Sequence, residues 1–171
     1  MMTIRQVAVE EAVMRQAQLV ALLQANVDNG ASIGFLPPLR EEEAAAYWQT
    51  VFDALRGPHR VLWVAQQGED ITGSVQLDLV AKPNGIHRAE VLKLMVHPAA
   101  RRHGIARRLM ETLEAHAKTA GRSTLVLDTR AGDPSEQLYR SLGYTGIGVI
   151  PQYCISADGK LDGSAFYYKL I

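Results

Sequence analysis

The densest chemistry in the chain sits between Val91 and Leu109, VLKLMVHPAARRHGIARRL. An apolar strand pattern runs to Pro98, passes Arg101, Arg102 and Gly104, and opens into an amphipathic helix pattern. The first amides of a helix lack intrahelical acceptors, and the helix dipole adds partial positive charge at that end. Gly104 and Ala106 are small enough to let a bulky phosphate reach the backbone, and Arg101, Arg102, Arg107 and Arg108 add charge around it. The stretch therefore reads as an anion cradle suited to a pyrophosphate-bearing ligand. Two acidic residues, Glu90 and Asp128, interrupt largely apolar strand patterns on either side of it. A carboxylate in such a strand needs a partner or a function. Pairing with Arg88 or Lys93 is the structural alternative.

The elements that must carry these groups follow from periodicity. Thr3 to Val9 reads as a strand, and Val13, Ala17, Val20, Leu23 and Val27 recur at the spacing of one helix face. A loop rich in glycine and proline follows, then a helix with Ala44, Tyr47, Trp48, Val51 and Leu55 on one face, stopped at Gly57-Pro58. Between Arg60 and Pro98 the pattern gives three antiparallel strands, the last two joined by the turn Lys82-Pro83-Asn84-Gly85. The third, Arg88 to Val96, carries apolar residues of both parities, which predicts burial on both faces. After the cradle come a helix ending at Gly121, a strand from Ser123 to Thr129, and a short helix bearing Tyr139. Asp133-Pro134-Ser135-Glu136 reads as the capping box of that helix. Strands at Tyr144 to Ile150 and Ala165 to Leu170 complete the order β-α-α-β-β-β-α-β-α-β-β, an α/β mixture of about seven strands and about four helices.

Composition narrows the functions available. The 171 residues suit one domain, 1–171, large enough to bury a core without cross-links. Lys plus Arg equals Asp plus Glu at 18 each, so no global basic field favours nucleic acid. The single cysteine, Cys154, excludes an internal disulfide and reads as a small packed residue. His59, His87, His97, His103 and His116 lack metal-ligand spacing, so no metal is expected. With neither a signal segment nor an apolar run of membrane-spanning length, the expectation is a cytoplasmic protein without membrane partners, monomeric or homodimeric.

Neither GxxxxGK[ST] nor a GxGxxG after a strand is present. What remains, Arg101-Arg102-His103-Gly104-Ile105-Ala106, resembles the [QR]xxGx[GA] signature of the GNAT superfamily of acyl-CoA-dependent N-acyltransferases. The preceding V-x-P, the amphipathic helix, the strand ending at Asp128 and LYRSLGY (138–144) stand in that superfamily's order. Further segments resemble the tabtoxin-resistance acetyltransferases of plant-pathogenic bacteria: GASIGF (30–35), KPNG (82–85), RAEV (88–91), KLMV (93–96), LDT (127–129) and PQYC (151–154).

The resemblance implies a mixed, mainly antiparallel twisted sheet flanked by helices, acetyl-CoA as cosubstrate, and transfer to the amine of a small molecule such as an amino-acid-like toxin or antibiotic. It implies that Leu94, Met95 and Val96 hold the pantetheine arm. The amides of Arg102, His103, Gly104, Ile105 and Ala106 would bind the pyrophosphate, with Arg101 closing the loop and Arg107 supplementing the charge. A backbone N–H near Met95 or Val96 would polarise the carbonyl. Tyr139 matches the tyrosine that protonates the leaving thiolate and contacts the cofactor. Glu90 and Asp128 become candidates for removing the amine proton or binding the ammonium. Glu90 lies about 13 Å of extended strand from Leu94, so it would act through water or on an extended substrate. Ser32, Phe35, Asn84 and Tyr153, with Glu90 and Asp128, are the candidate acceptor contacts. The sequence departs from the family at Gly132, where many members carry an asparagine that contacts pantetheine. The alternatives are a CoA-binding sensor without catalysis, a protein or peptide N-acetyltransferase, and an unrelated nucleotide-binding module.

Overall fold

In the computed structural model, which describes residues 2–171, the sheet is built from β1 (Met2–Gln6), β2 (Arg60–Gln67), β3 (Asp70–Leu79), β4 (Arg88–Val96), β5 (Thr124–Arg130), β6 (Thr145–Ile155) and β7 (Leu161–Leu170). Their spatial order is β1-β2-β3-β4-β5-β7-β6, with β4 and β5 parallel and the other neighbours antiparallel. Five α-helices cover it: α1 (Val9–Met14), α2 (Gln16–Asp28), α3 (Glu41–Leu55), α4 (Ile105–Thr119) and α5 (Ser135–Ser141). The single early helix expected from periodicity is two helices, divided where Arg15 leaves helical geometry (φ −102°, ψ 16°).

Alternation along the central strands creates two apolar layers. Val61, Trp63 and Ala65 of β2 join Val75, Leu77, Leu109, Met110 and Leu113 beneath α4. Leu62 and Val64 point the other way, into Leu19, Leu22, Leu23, Trp48 and Phe52 of α2 and α3.

In β4, Ala89 and Val91 face the α4 layer, but Met95 packs in the α2/α3 layer. Odd-numbered residues thus change face within one strand. The cause is a bulge: against β3 the register moves from Gln76–Leu92 to Ser74–Met95, and Lys93 takes a left-handed φ of 50°. The mixed parity expected to mean burial on both faces is therefore largely a parity switch. Before it, Arg88 and Glu90 remain exposed.

The sheet is open at its centre, between β4 and β5. Pairing of β4 with β5 covers only Arg88–Glu90 against Thr124–Val126. Beyond it the backbone edge of Val91 to Val96 that faces β5 has no strand partner. The short turn Pro98–Ala100 then leads into α4.

Candidate active site

The start of α4 is shaped by backbone conformation. Gly104, at the N-cap, is left-handed (φ 74°) and offers no side-chain cap. Arg102 is also left-handed (φ 70°). Among the described residues, none of the amides of 102–107 has a hydrogen-bond acceptor, and the first backbone bond is from Arg108 to the Gly104 carbonyl. Unpaired amides beside alternating left-handed residues form an anion-binding nest. Arg101 braces it. Its guanidinium donates to Asn29 Oδ1 at 2.8 Å, to Asn26 Oδ1 at 3.1 Å and to the Val96 carbonyl at 3.3 Å, tying the loop to the end of α2 and the end of β4. His103 Nδ1 turns back to the Arg101 carbonyl at 2.8 Å.

From this nest a cleft of about 710 Å³ runs along the open edge of β4. It is bordered by Leu94, Val96, Arg101, Arg102, Gly104, Ile105, Ala106 and Arg107, with Asp128, Tyr139 and Ser32 on its other walls. The remaining candidates lie outside its walls. Met95 is buried in the α2/α3 layer, and His103 borders a separate depression beside β1. Phe35 packs edge-on against Tyr47 at 5.4 Å, and Tyr153 against Phe166 at 5.5 Å, so both hold neighbouring aromatic rings. Asn84 sits in the short 3-10 turn Pro83–Gly85 that precedes β4, at the opposite end of that strand from the nest. Glu90 belongs to a polar row across the sheet: Arg60, Asp78 and Glu90 stand opposite one another on β2, β3 and β4.

Tyr139 is almost fully buried, its ring tilted against Tyr144 and Tyr167 with centroids 5.8 and 6.1 Å away. Burial, helped by the charge of Asp128, pushes its phenol well above the ordinary tyrosine range, so it stays protonated at neutral pH. Asp128 keeps solvent access, and one carboxylate oxygen accepts the Ser164 hydroxyl at 2.7 Å. Although Glu90 is exposed, partial desolvation by its neighbours raises it above the usual carboxylate range, reinforced by Asp128 and Asp78 and opposed by Arg60 and Arg88. Among the described residues neither Glu90 nor Asp128 forms an ion pair, and Arg88 and Lys93 form none either. The structural alternative for these carboxylates therefore lacks its partner.

The acetyltransferase (GNAT) family model matches residues 31–144, two-thirds of the chain and the whole run from the α2–α3 loop through the nest to Tyr144. The chain belongs to the GNAT family. An uncharacterised N-acetyltransferase from the hisH–hisA intergenic region of Azospirillum brasilense is 37% identical over 106 residues, which are 61% of this chain and 61% of that protein. Among solved structures, an N-acetyltransferase of Staphylococcus aureus Mu50 superposes with a TM-score of 0.81 at 20% identity, over 99% of this chain and 98% of that one. A candidate acetyltransferase of Salmonella typhimurium, solved with its cofactor acetyl-CoA, gives 0.79 at 21% identity over 99% and 94%. At these identities the structural likeness is one of fold.

Within this GNAT chain, several cleft residues were not among those that the sequence motifs single out. Asn26 and Asn29 reach Arg101 across more than seventy residues of chain. Arg130 donates to Asp133, to Ser156 Oγ and to the Gly30 carbonyl, tying the end of β5 to the loops on both sides. Lys93 borders the cleft because the bulge turns it there. The capping box expected at α5 is absent: the Asp133 carboxylate takes Arg130, and Glu136 accepts the Gly132 amide at 2.7 Å, Arg140 and the Tyr167 hydroxyl. The non-family residue Gly132 is thereby held through its backbone, at a φ of 88°.

Proposed function

We propose that this protein is an acetyl-CoA-dependent N-acetyltransferase that transfers the acetyl group directly to a primary amine of a small molecule. The observation that carries this reading is continuity: unpaired amides at 102–107, the open edge of β4 and the Tyr139 phenol border one cleft. Those features fit the parts of acetyl-CoA in order. The nest suits a pyrophosphate, and the bare strand edge suits the amide-bearing pantetheine arm. Bound acetyl-CoA supplies an acetyl thioester.

The chain's own residues supply the rest. Asp128, or Glu90 through water, takes a proton from the acceptor ammonium so that a nitrogen lone pair is free to form the new N–C bond. A backbone amide at the Met95–Val96 end of β4 donates to the carbonyl oxygen while the C–S bond breaks. Tyr139 gives a proton to the departing sulfur and is restored through water by the second proton, which the nitrogen sheds once the N–C bond has formed.

The narrower acceptor, an amino-acid-like toxin or antibiotic, is favoured by the segments that resemble the tabtoxin-resistance acetyltransferases. The test is release of free CoA from acetyl-CoA with a panel of β-lactam amino acids, aminoglycosides, polyamines and peptides. Amine-dependent release with one class preferred is expected. Tight acetyl-CoA binding without turnover of any amine would instead make the protein a CoA sensor.

A further inference from the structure

Lys93 is a cation placed at some conformational cost and left without a counter-ion. It stands at the β4 bulge with a left-handed φ of 50°, a conformation that residues with a Cβ rarely adopt and that persists where the surroundings enforce it. Its side chain is partly buried and borders the cleft, yet among the described residues it makes neither a hydrogen bond nor an ion pair. Its Nζ lies 5.7 Å from the centroid of the Tyr47 ring. That ring is fixed in turn, since its hydroxyl accepts from Gln76 Nε2 at 2.9 Å and Phe35 packs on its edge. From the other side the α2–α3 loop closes in: a Cβ on Gly34 would stand 3.6 Å from Lys93 Nζ. Burial lowers the ammonium's pKa, with Asp128 and Glu90 opposing that effect.

Position along β4 distinguishes Lys93 from the phosphate-binding residues. The nest lies beyond Val96, whereas Lys93 precedes Leu94, on the side away from the nest and next to the α2–α3 loop. Asp128 borders the same cleft from β5. One desolvated cation and one carboxylate at the fork of two strands complement a molecule bearing one charge of each sign. We infer that the Lys93 ammonium binds a carboxylate of the acceptor, whose reacting amine faces Asp128, so that the acceptor class is amino acids and their close analogues. The inference rests on the acetyltransferase reading for its reaction, but not for its binding geometry.

The experiment pairs each acid with an amine that lacks the carboxylate charge: L-lysine with 1,5-diaminopentane, L-methionine with 3-(methylthio)propylamine, and a β-lactam amino acid with its methyl ester. Wild type, Lys93→Met and Lys93→Arg are compared by CoA release, and by ligand-observed NMR binding to the CoA-loaded protein. Both variants keep a Cβ, so they share the backbone strain of the wild type. Wild type should prefer at least one acid over its partner. Lys93→Met should shrink that preference by about tenfold or more, as expected for losing a charged hydrogen bond, while Lys93→Arg retains most of it. Lys93-dependent binding of acids without turnover would overturn the acetyltransferase reading and leave this inference standing. Turnover without an acid preference, a preference unchanged in Lys93→Met, or no binding of any acid would overturn the inference itself.

Discussion

Replacing Tyr139 by phenylalanine removes one oxygen from the cleft and little else. The ring is fixed by its contacts with Tyr144 and Tyr167, and the hydroxyl has no hydrogen-bond partner among the described residues, so nothing is orphaned when it goes. The folded state should change by less than about 0.5 kcal/mol, within the range of neutral substitutions. Acetyl-CoA affinity should be nearly unaltered, because the nest and the β4 edge are intact. Turnover is different: loss of a positioned general acid costs about 10²–10⁴ in rate, or about 2.7–5.4 kcal/mol of barrier. Single-turnover CoA release at saturating acetyl-CoA and amine isolates that step from product release. Since burial holds the phenol above its ordinary value, the wild-type rate should also show no loss up to pH 9 from ionisation of Tyr139. A Tyr139→Phe rate within about twofold of wild type would refute the acid role.

Four further substitutions probe the scaffold around the cleft. Gly73→Ala would put a Cβ 2.9 Å from the Met95 carbonyl and 3.2 Å from Ile105 and Leu109, so it should cost about 1–3 kcal/mol and lower Tm by a few degrees to about 10 °C; an unchanged Tm in differential scanning calorimetry would contradict that packing. Arg101→Ala loses the bonds to Asn26 and Asn29, and should raise the acetyl-CoA Kd about tenfold by isothermal titration, whereas Arg102→Ala, whose side chain has no such partner, should change it less. Equal Kd values for Arg101→Ala and wild type would show that the brace is dispensable. Glu90→Gln should raise Tm at pH 7 and leave it unchanged near pH 4. The sign follows from the raised pKa: ionised Glu90 is disfavoured in the fold, so its stabilising contribution is present below the unfolded value and is lost as pH rises through the folded one. A Tm difference independent of pH would contradict the assignment.

The legible parts of the fold were those written in local periodicity. The β-branched and aromatic run in β2, the alternation in β3, the stripe of Ile105, Leu109 and Leu113, and the Gly104 break between β4 and α4 all report nearest-neighbour geometry. The bulge in β4 was visible too, as apolar residues of both parities, but two-faced burial produces the same pattern, and only the partner strand's register separates them. Lys93 went unnoticed as a cleft residue for that reason, since its direction depends on the bulge. The divergence of β4 from β5 leaves no trace in either strand's composition. Contacts such as Arg101 with Asn26 depend on distant segments meeting, although a buried asparagine in an apolar helix face was a signal that something polar must reach it. At α5 the capping pattern misled because Arg130, three residues before Asp133, and Tyr167, thirty-one residues beyond Glu136, take its two carboxylates.

The central claim is that one cleft binds acetyl-CoA with its pyrophosphate on the α4 nest and its thioester beside Tyr139. Titration of isotopically labelled protein with acetyl-CoA, followed by amide-resolved NMR, tests it most directly. Saturable shifts concentrated at Arg102 to Ala106, at Leu94 to Val96 and around Tyr139 are predicted, with ATP and NAD failing to reproduce them at equal concentration. Shifts confined to other surfaces, or the same shifts from ATP or NAD, would contradict the account.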